Sequence, residues 1–235
     1  MSEQIGHTQQ LSSTPFCHPK WRERSGIAIG FALLLLVIDQ TIKLWVKSHM
    51  ILGESKRITD WFFIYFTENP GMAFGWEFFD KMFLTIFRII ASIIIAWLIA
   101  KVIKGRYNIG FLLCMVAVFS GAVGNIIDSV FYGHFFTHSY GQVATFLPEG
   151  GGYATWLHGK VVDMFYFPII NTVWPDWMPW VGGEELVFFQ PIFNFADACI
   201  SVGVVILIIF YAHSFTELLG GSGKKKAVEH DAEEA

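Results

Sequence analysis

The sequence predicts a membrane all-α bundle of four transmembrane helices carrying a small extracytoplasmic β-containing region. Three observations lead there. Hydrophobic residues make up 54% of the 235 and charged residues 15%, well below the ~25% charged of soluble domains. With 24 Phe and 9 Trp, a chain of this length has too much apolar surface to hide in one soluble core. Four runs are each long and apolar enough to cross a bilayer, which takes ~20 residues. Finally, lysine and arginine gather at alternate ends of those runs, as the positive-inside rule expects.

The elements follow in order. Residues 1–25 are polar, carry Lys20, Arg22 and Arg24, and read as a cytoplasmic N-terminal segment. No cleavable signal peptide is expected at Met1. Lys43 and Lys47 follow the first apolar run where a cleavage site would need small residues, so that run is read as a permanent span, 26–46. The outer connection 47–81 contains a β-branched and aromatic stretch, 58–66, that reads as strand. Spans two and three, 82–103 and 109–131, flank a short connection bearing Lys101, Lys104 and Arg106. A long outer connection, 132–192, is rich in aromatic residues, Gly and Pro. Its Trp156, Trp174, Trp177 and Trp180 suit a membrane interface. A connection of that length is more often functional than filler, and it is expected to fold as a lid or outer-surface platform. The fourth span is 193–213. Residues 214–235, with Lys224, Lys225 and Lys226, form a cytoplasmic tail expected to be disordered. Both termini thus fall inside and the spans 26–213 form one unit. The four basic residues of the first outer connection fit the rule less well, but an even number of spans places it outside.

A net charge of −4 argues against nucleic acid as a partner. Cys17, Cys114 and Cys199 are scattered without CxxC or metal spacing and read as inert. His134, His138 and His158 read as ordinary loop residues, so no metal and no cofactor are expected.

Acids within spans are costly and are functional candidates by default. Asp39 lies about 13 residues into the first span, roughly 20 Å from its cytoplasmic end. Asp128 closes the outward-running third span, Asp197 opens the inward-running fourth, and Asp163 lies in the outer connection. Four carboxylates from separate stretches thus fall at the outer leaflet. Gly121, Asn125 and Asp128 share one helix face, as do Asn194 and Asp197. Gly121 and Gly124 would admit a neighbouring backbone. Plainer roles stand beside these. Asp39 and Lys43, at i and i+4, can neutralise each other while Lys43 reaches for the interface. Asp128 can be a helix-end acid, and Asp163 and Asp197 two solvated carboxylates.

A carboxylate pair is also a sufficient machine for peptide hydrolysis. One ionised Asp takes a proton from water while the other, protonated, hydrogen-bonds the scissile carbonyl. Two close carboxyls cannot both ionise easily, so they share one proton and titrate as a unit. Asn69, Asn125 and Asn194 can orient a substrate backbone without adding charge. No HExxH zinc motif or G-x-S-x-G elbow competes.

Five motifs now stand in one order: Asp39-Gln-Thr-Ile-Lys43, Asn69-Pro-Gly-Met-Ala-Phe74, Gly121-Ala-Val-Gly-Asn-Ile-Ile-Asp128, Val161-Val-Asp163 and Phe193-Asn-Phe-Ala-Asp197. Together they resemble the bacterial lipoprotein signal peptidase family, signal peptidase II, over roughly 26–213. The resemblance implies an aspartic endopeptidase of the bacterial inner membrane, working near the outer leaflet and expected to be a monomer. Its substrate would be a prolipoprotein carrying diacylglyceryl-cysteine, cut just before that cysteine and presented by membrane lipid. It implies Asp163 and Asp197 as the catalytic dyad. Asn69, Gly71, Asn125 and Asn194 would line the substrate, and Asp39, Lys43 and Asp128 would support them. Two features depart from the family. Ser129 stands where an Arg with a lipid-headgroup role is usual, with Lys160 or a loop group as a conceivable substitute. The connection from Asp128 to Asp163 is also longer than typical.

Two other classes remain as rivals. Intramembrane acids also serve proton- or ion-coupled transporters, although these acids sit at one depth rather than along a path. A non-catalytic lipid- or partner-binding protein would keep the fold and tolerate loss of either Asp.

Overall fold

The computed structural model describes residues 21–70, 81–105, 107–168, 170–188 and 191–220. The N-terminal segment before Trp21, Gly71 of the Asn-Pro-Gly motif and the tail beyond Gly220 lie outside the described residues. Five helices and six strands follow in order: α1 (Trp21–His49), β1 (Ser55–Arg57), β2 (Phe63–Asn69), α2 (Lys81–Lys104), α3 (Ile109–Ile127), a π-helical turn (Asp128–Tyr132), α4 (Gly133–Phe135), β3 (Val161–Tyr166), β4 (Ile170–Val173), β5 (Glu185–Phe188), β6 (Ile192–Phe193) and α5 (Phe195–Gly220).

Among the described residues, four stretches are long and apolar enough to cross a membrane: Trp21–His49, Met82–Lys104, Ile109–Phe135 and Phe195–Gly220. Three of these helices overrun the stretches read from the sequence. The first starts at Trp21 rather than 26, the third runs to Phe135 rather than 131, and the last continues to Gly220 rather than 213. Hydrophobicity marks only the part that lies in hydrocarbon, while helix hydrogen bonding continues into the interface. In α5 the backbone leaves helical geometry at Tyr211 (φ −127°), close to where its apolar run ends.

Because the surrounding solvent is lipid, the helices turn apolar side chains outward. On α2, Phe83, Ile86, Phe87, Ile90, Ile93, Ile94 and Trp97 are all exposed. They recur at helical spacing and form one stripe. The opposite face carries Thr85 and Ser92, both buried. α3 is central and packs against α1, α2 and α5. A Cβ on Gly121 would sit 2.4 Å from the carbonyl oxygen of Ala196, so only glycine lets α3 and α5 meet this closely.

The sheet has the order β1-β2-β3-β6, antiparallel throughout. The stretch 58–66 is therefore not one strand. Ile58 and Thr59 donate to Phe62 O at 3.0 and 3.1 Å and close a hairpin turn, held by an Arg57–Asp60 ion pair. β2 starts later than expected and runs on to Asn69, because β3 supplies its partner. Between Ile64 and Thr67 the register slips by one residue, a bulge that accompanies the complete burial of Phe66. A core of Val46, Met50, Phe66, Tyr132, Phe136, Ala144, Val162 and Met164 welds this sheet to the C-terminal ends of α1 and the third span.

Up to residue 160 the long connection is pinned to the end of the third span. A helix end leaves its last carbonyls unpaired, and here the connection supplies the donors. Gly159 N bonds Ser129 O (2.8 Å), Leu157 N bonds Val130 O (3.3 Å), Ala154 N bonds Gly133 O (2.8 Å) and Tyr153 N bonds Phe136 O (2.9 Å). β4 and β5 form a separate hairpin, with Trp177 and Trp180 at 79% and 95% exposure near its tip.

Candidate active site

The site begins with the start of α5. Asn194 is its N-cap: Asn194 Oδ1 accepts from Asp197 N (3.0 Å), and Asp197 Oδ2 accepts from Asn194 N (3.2 Å). This reciprocal pair is a capping box with Asp in the third helical position. It fixes the Asn194 amide, so that Nδ2 points to Asp163 Oδ1 (2.6 Å) and to Asn125 Oδ1 (3.2 Å). Asn125, on α3, in turn donates Nδ2 to Asp197 Oδ1 (2.8 Å). Asp163 and Asp197 therefore meet across one asparagine, with a second asparagine behind. Asn69, at the end of β2, also donates to the Asp163 carboxyl, two residues along the ladder from the Thr67–Asp163 pairing.

Beneath the pair lies a charged foundation. Lys43 is completely buried and binds Asp39 (3.0 Å), Asp128 (2.8 Å) and Asn125 Oδ1 (2.9 Å). The expectation that Lys43 reaches for the interface is therefore corrected. Two carboxylates and an amide inside the bundle hold it there, since a buried ammonium survives only with partners of this kind. Asp39 also caps α5, accepting Ala196 N at 3.0 Å, an anion at a helix N-terminus. A Cβ on Gly124 would come within 2.5 Å of Asp39 Oδ2. Asp128 accepts Val162 N at 3.3 Å, which ties the third span to the strand carrying Asp163.

Burial, reinforced by the negative charge of Asp197, pushes the Asp163 carboxyl up to about 7, although donors from Asn194 and Asn69 and the charge of Lys43 pull the other way. Asp163 is 3% exposed, so desolvation dominates, as it should for a carboxyl in a dry setting. At neutral pH this carboxyl can hold a proton.

Three groups escaped the sequence reading. Gln40 Nε2 bridges Asp39 (3.0 Å), Gly124 O (3.2 Å) and Asp128 (3.1 Å), and its Oε1 accepts from Tyr132 (3.1 Å). Lys47, also completely buried, pairs with Glu68, which Lys160 reaches at 3.3 Å and Ser139 at 3.1 Å. Burial pushes the Glu68 carboxyl up, but Lys47 and then Lys160 more than offset this and hold it below the usual range. Arg88, half-buried on α2, experiences the charges of Asp197, Asp163 and Asp128. The signal was available: Lys47 is one turn beyond Lys43, and Arg88 is an ionisable residue inside a span. Ser129 turns its hydroxyl back to Asn125 O (2.9 Å). Lys160 is engaged by Glu68, and His134 stacks on Trp156 at 4.5 Å.

A bundle of membrane-spanning helices in which a carboxyl on a strand, Asp163, and one at a helix start, Asp197, are joined through an asparagine has the make-up of an integral membrane enzyme. The comparisons give the family. The model of the family described as signal peptidase (SPase) II matches residues 31–213, and the chain belongs to that family. It is 50% identical over 210 residues to a lipoprotein signal peptidase of Porphyromonas gingivalis, covering 89% of this chain and 92% of that one. It is 39% identical over 187 residues to that of Amoebophilus asiaticus, covering 77% and 75%. Two solved bacterial membrane enzymes share the fold. One has a TM-score of 0.55 at 24% identity, covering 85% of this chain and 92% of that one. The other has a TM-score of 0.54 at 26% identity, covering 78% and 91%.

Proposed function

We propose that Asp163 and Asp197 are the catalytic dyad of this signal peptidase II and that the enzyme removes signal peptides from diacylglyceryl-modified prolipoproteins, cutting before the lipidated cysteine. The observation that carries the dyad is the sharing of Asn194: one capped helix start presents Asp197 and holds Asp163 at 2.6 Å. Asp163 holds the shared proton and hydrogen-bonds the scissile carbonyl. Asp197, which accepts two N–H donors at the start of α5, takes a proton from water as it adds to the carbonyl carbon. The C–N bond then breaks and the amine leaves with a proton returned through Asp163. Asn69, Asn125 and Asn194 hold the pair and line the substrate together with Gly71. Asp39, Lys43, Gln40 and Asp128 keep the ends of three spans in register.

Both termini face the cytoplasm and the dyad lies near the outer leaflet, with the sheet and the long connection outside. Residues 26–213 act as one peptidase unit, and the enzyme works as a monomer among membrane lipids. The basic residues at the inner ends of the spans support this orientation. The signal peptide then remains a helix in lipid and the scissile bond reaches the interface. Neither the family nor the relatives support the reading as a proton- or ion-coupled transporter.

The test is cleavage of a diacylglyceryl-modified prolipoprotein peptide by the purified protein in native-like bilayers. The parent is expected to cut before the lipidated cysteine. Folded Asp163→Asn and Asp197→Asn variants are each expected to lose at least about 10³-fold in kcat. A variant that still cuts at the parental rate would remove its residue from the dyad.

A further inference from the structure

Arg88 stands apart from every other buried or half-buried charge near the site. Asp39, Asp128, Lys43, Lys47 and Glu68 each have a partner within ion-pair distance. Among the described residues Arg88 has none, and no hydrogen bond engages its guanidinium. Its side of α2 is nevertheless turned inward. Thr85, one turn before it, is 2% exposed and donates to Leu157 O at 3.3 Å, and Ser92, one turn after it, is 5% exposed. The apolar stripe Phe83, Phe87, Ile90 and Ile94 takes the lipid side. The charges that act on Arg88 are those of Asp197 first, then Asp163 and Asp128. Arg88 thus carries its charge on the inward side of α2, within electrostatic range of both carboxyls of the pair and in an ion pair with neither. A half-desolvated guanidinium without acceptors is unfavourable, and its planar fork suits a carboxylate.

We infer that Arg88 is a substrate-contacting residue that binds the oxygen developing negative charge at the scissile carbonyl, and then the new C-terminal carboxylate of the released signal peptide. The inference rests on the dyad proposed above. Hydrolysis adds the water oxygen to the carbonyl carbon and breaks the C–N bond. The departing amine of the lipidated cysteine carries one proton away. The acyl half, a carboxylic acid, ionises at neutral pH and releases its proton. The product therefore carries a negative charge beside a pair that already holds one. Without a facing cation, that product would be repelled from the place where it forms.

The decisive probe is a synthetic signal peptide matching the N-terminal product of the assay substrate, made with a free C-terminal carboxylate or as the carboxamide. Both are measured as inhibitors of cleavage. With the parent enzyme the acid is expected to inhibit about tenfold more tightly than the amide. In Arg88→Gln this preference disappears or inverts and kcat/KM falls about 10- to 100-fold, while Arg88→Lys keeps part of both. A purely structural Arg88 would weaken acid and amide alike. The parent comparison needs no variant, so misfolding of Arg88→Gln cannot shield the idea. If the parent shows no acid preference, or folded Arg88→Gln keeps it, the inference fails. If the parent cuts and the aspartate variants do not, that failure leaves the dyad standing.

Discussion

Asn194 is the residue on which the site turns. Its side chain caps α5, orders Asp197 and holds Asp163, so one amide does structural and chemical work at once. At this scale the proton on Asp163 makes a testable statement. The carboxyl is pushed up to about 7, and the proposed role needs it protonated, so cleavage should fall as pH rises through about 7. The Asn69 donor pulls against that upward shift. Asn69→Ala is therefore expected to move the alkaline limb of the kcat profile to higher pH, while lowering kcat itself. A pH–rate profile under single-turnover conditions checks this, and an unmoved or acid-shifted limb would contradict it. The same shift bears on stability. A buried carboxyl raised above its ordinary 3.8 binds a proton in the folded state that the unfolded chain has already released. It therefore costs stability increasingly from about pH 4 to about pH 7 and constantly above.

Among the elements, the starts and ends of helices carry the function. The capping box of α5, the Asp39 carboxylate at its N-terminus and the donors of the long connection on the third span all satisfy backbone groups that helices must leave open. Each such group also fixes a site residue or its support. Outside the dyad, Lys47 and Glu68 bind the C-terminal end of α1 to β2, one residue before Asn69. Glu68→Gln would leave a completely buried ammonium facing a neutral amide. Breaking such a pair costs about 3–5 kcal/mol, so the thermal midpoint of the detergent-purified protein should drop clearly at pH 7. The sign with pH is also fixed. The folded-state Glu68 carboxyl lies below its ordinary 4.5, so its contribution is complete above about 4.5 and fades as pH falls through the lower folded value. The difference between parent and Glu68→Gln should thus shrink in acid. A constant difference would argue that Glu68 acts by packing alone.

Across the molecule, the orientation can be tested directly. Trp180, 95% exposed near the tip of the β4–β5 hairpin, and Trp21, 63% exposed at the start of α1, should lie on opposite sides of the membrane. In intact spheroplasts, Trp180→Cys should react with a membrane-impermeant maleimide and Trp21→Cys only after permeabilisation. The reverse pattern would invert the topology and place the dyad at the inner leaflet.

The spans, and the convergence of Asp39, Asp128, Asp163 and Asp197, were legible because both follow from the cost of charge and open backbone in hydrocarbon, a rule that acts on local sequence. The resemblance carried by the five motifs had the same local character. Lys43 shows where that reading stops. Its spacing from Asp39 is plain in the sequence, but whether an ammonium turns to the interface or inward depends on what waits inside, here Asp128 and Asn125 from another helix. Arg88 shows the same limit, since one inward-facing cation on an apolar helix gains meaning only from the carboxylates opposite. The strand misread at 58–66 was settled by pairing with β3, which lies about 100 residues away in sequence. By itself, the sequence determined that this protein is a four-span membrane protein with its acids at one depth, because solvent polarity acts residue by residue. Only the tertiary structure decided which acid meets which amide and which cations are buried, because hydrogen bonds and ion pairs are set by distance between elements far apart in the chain.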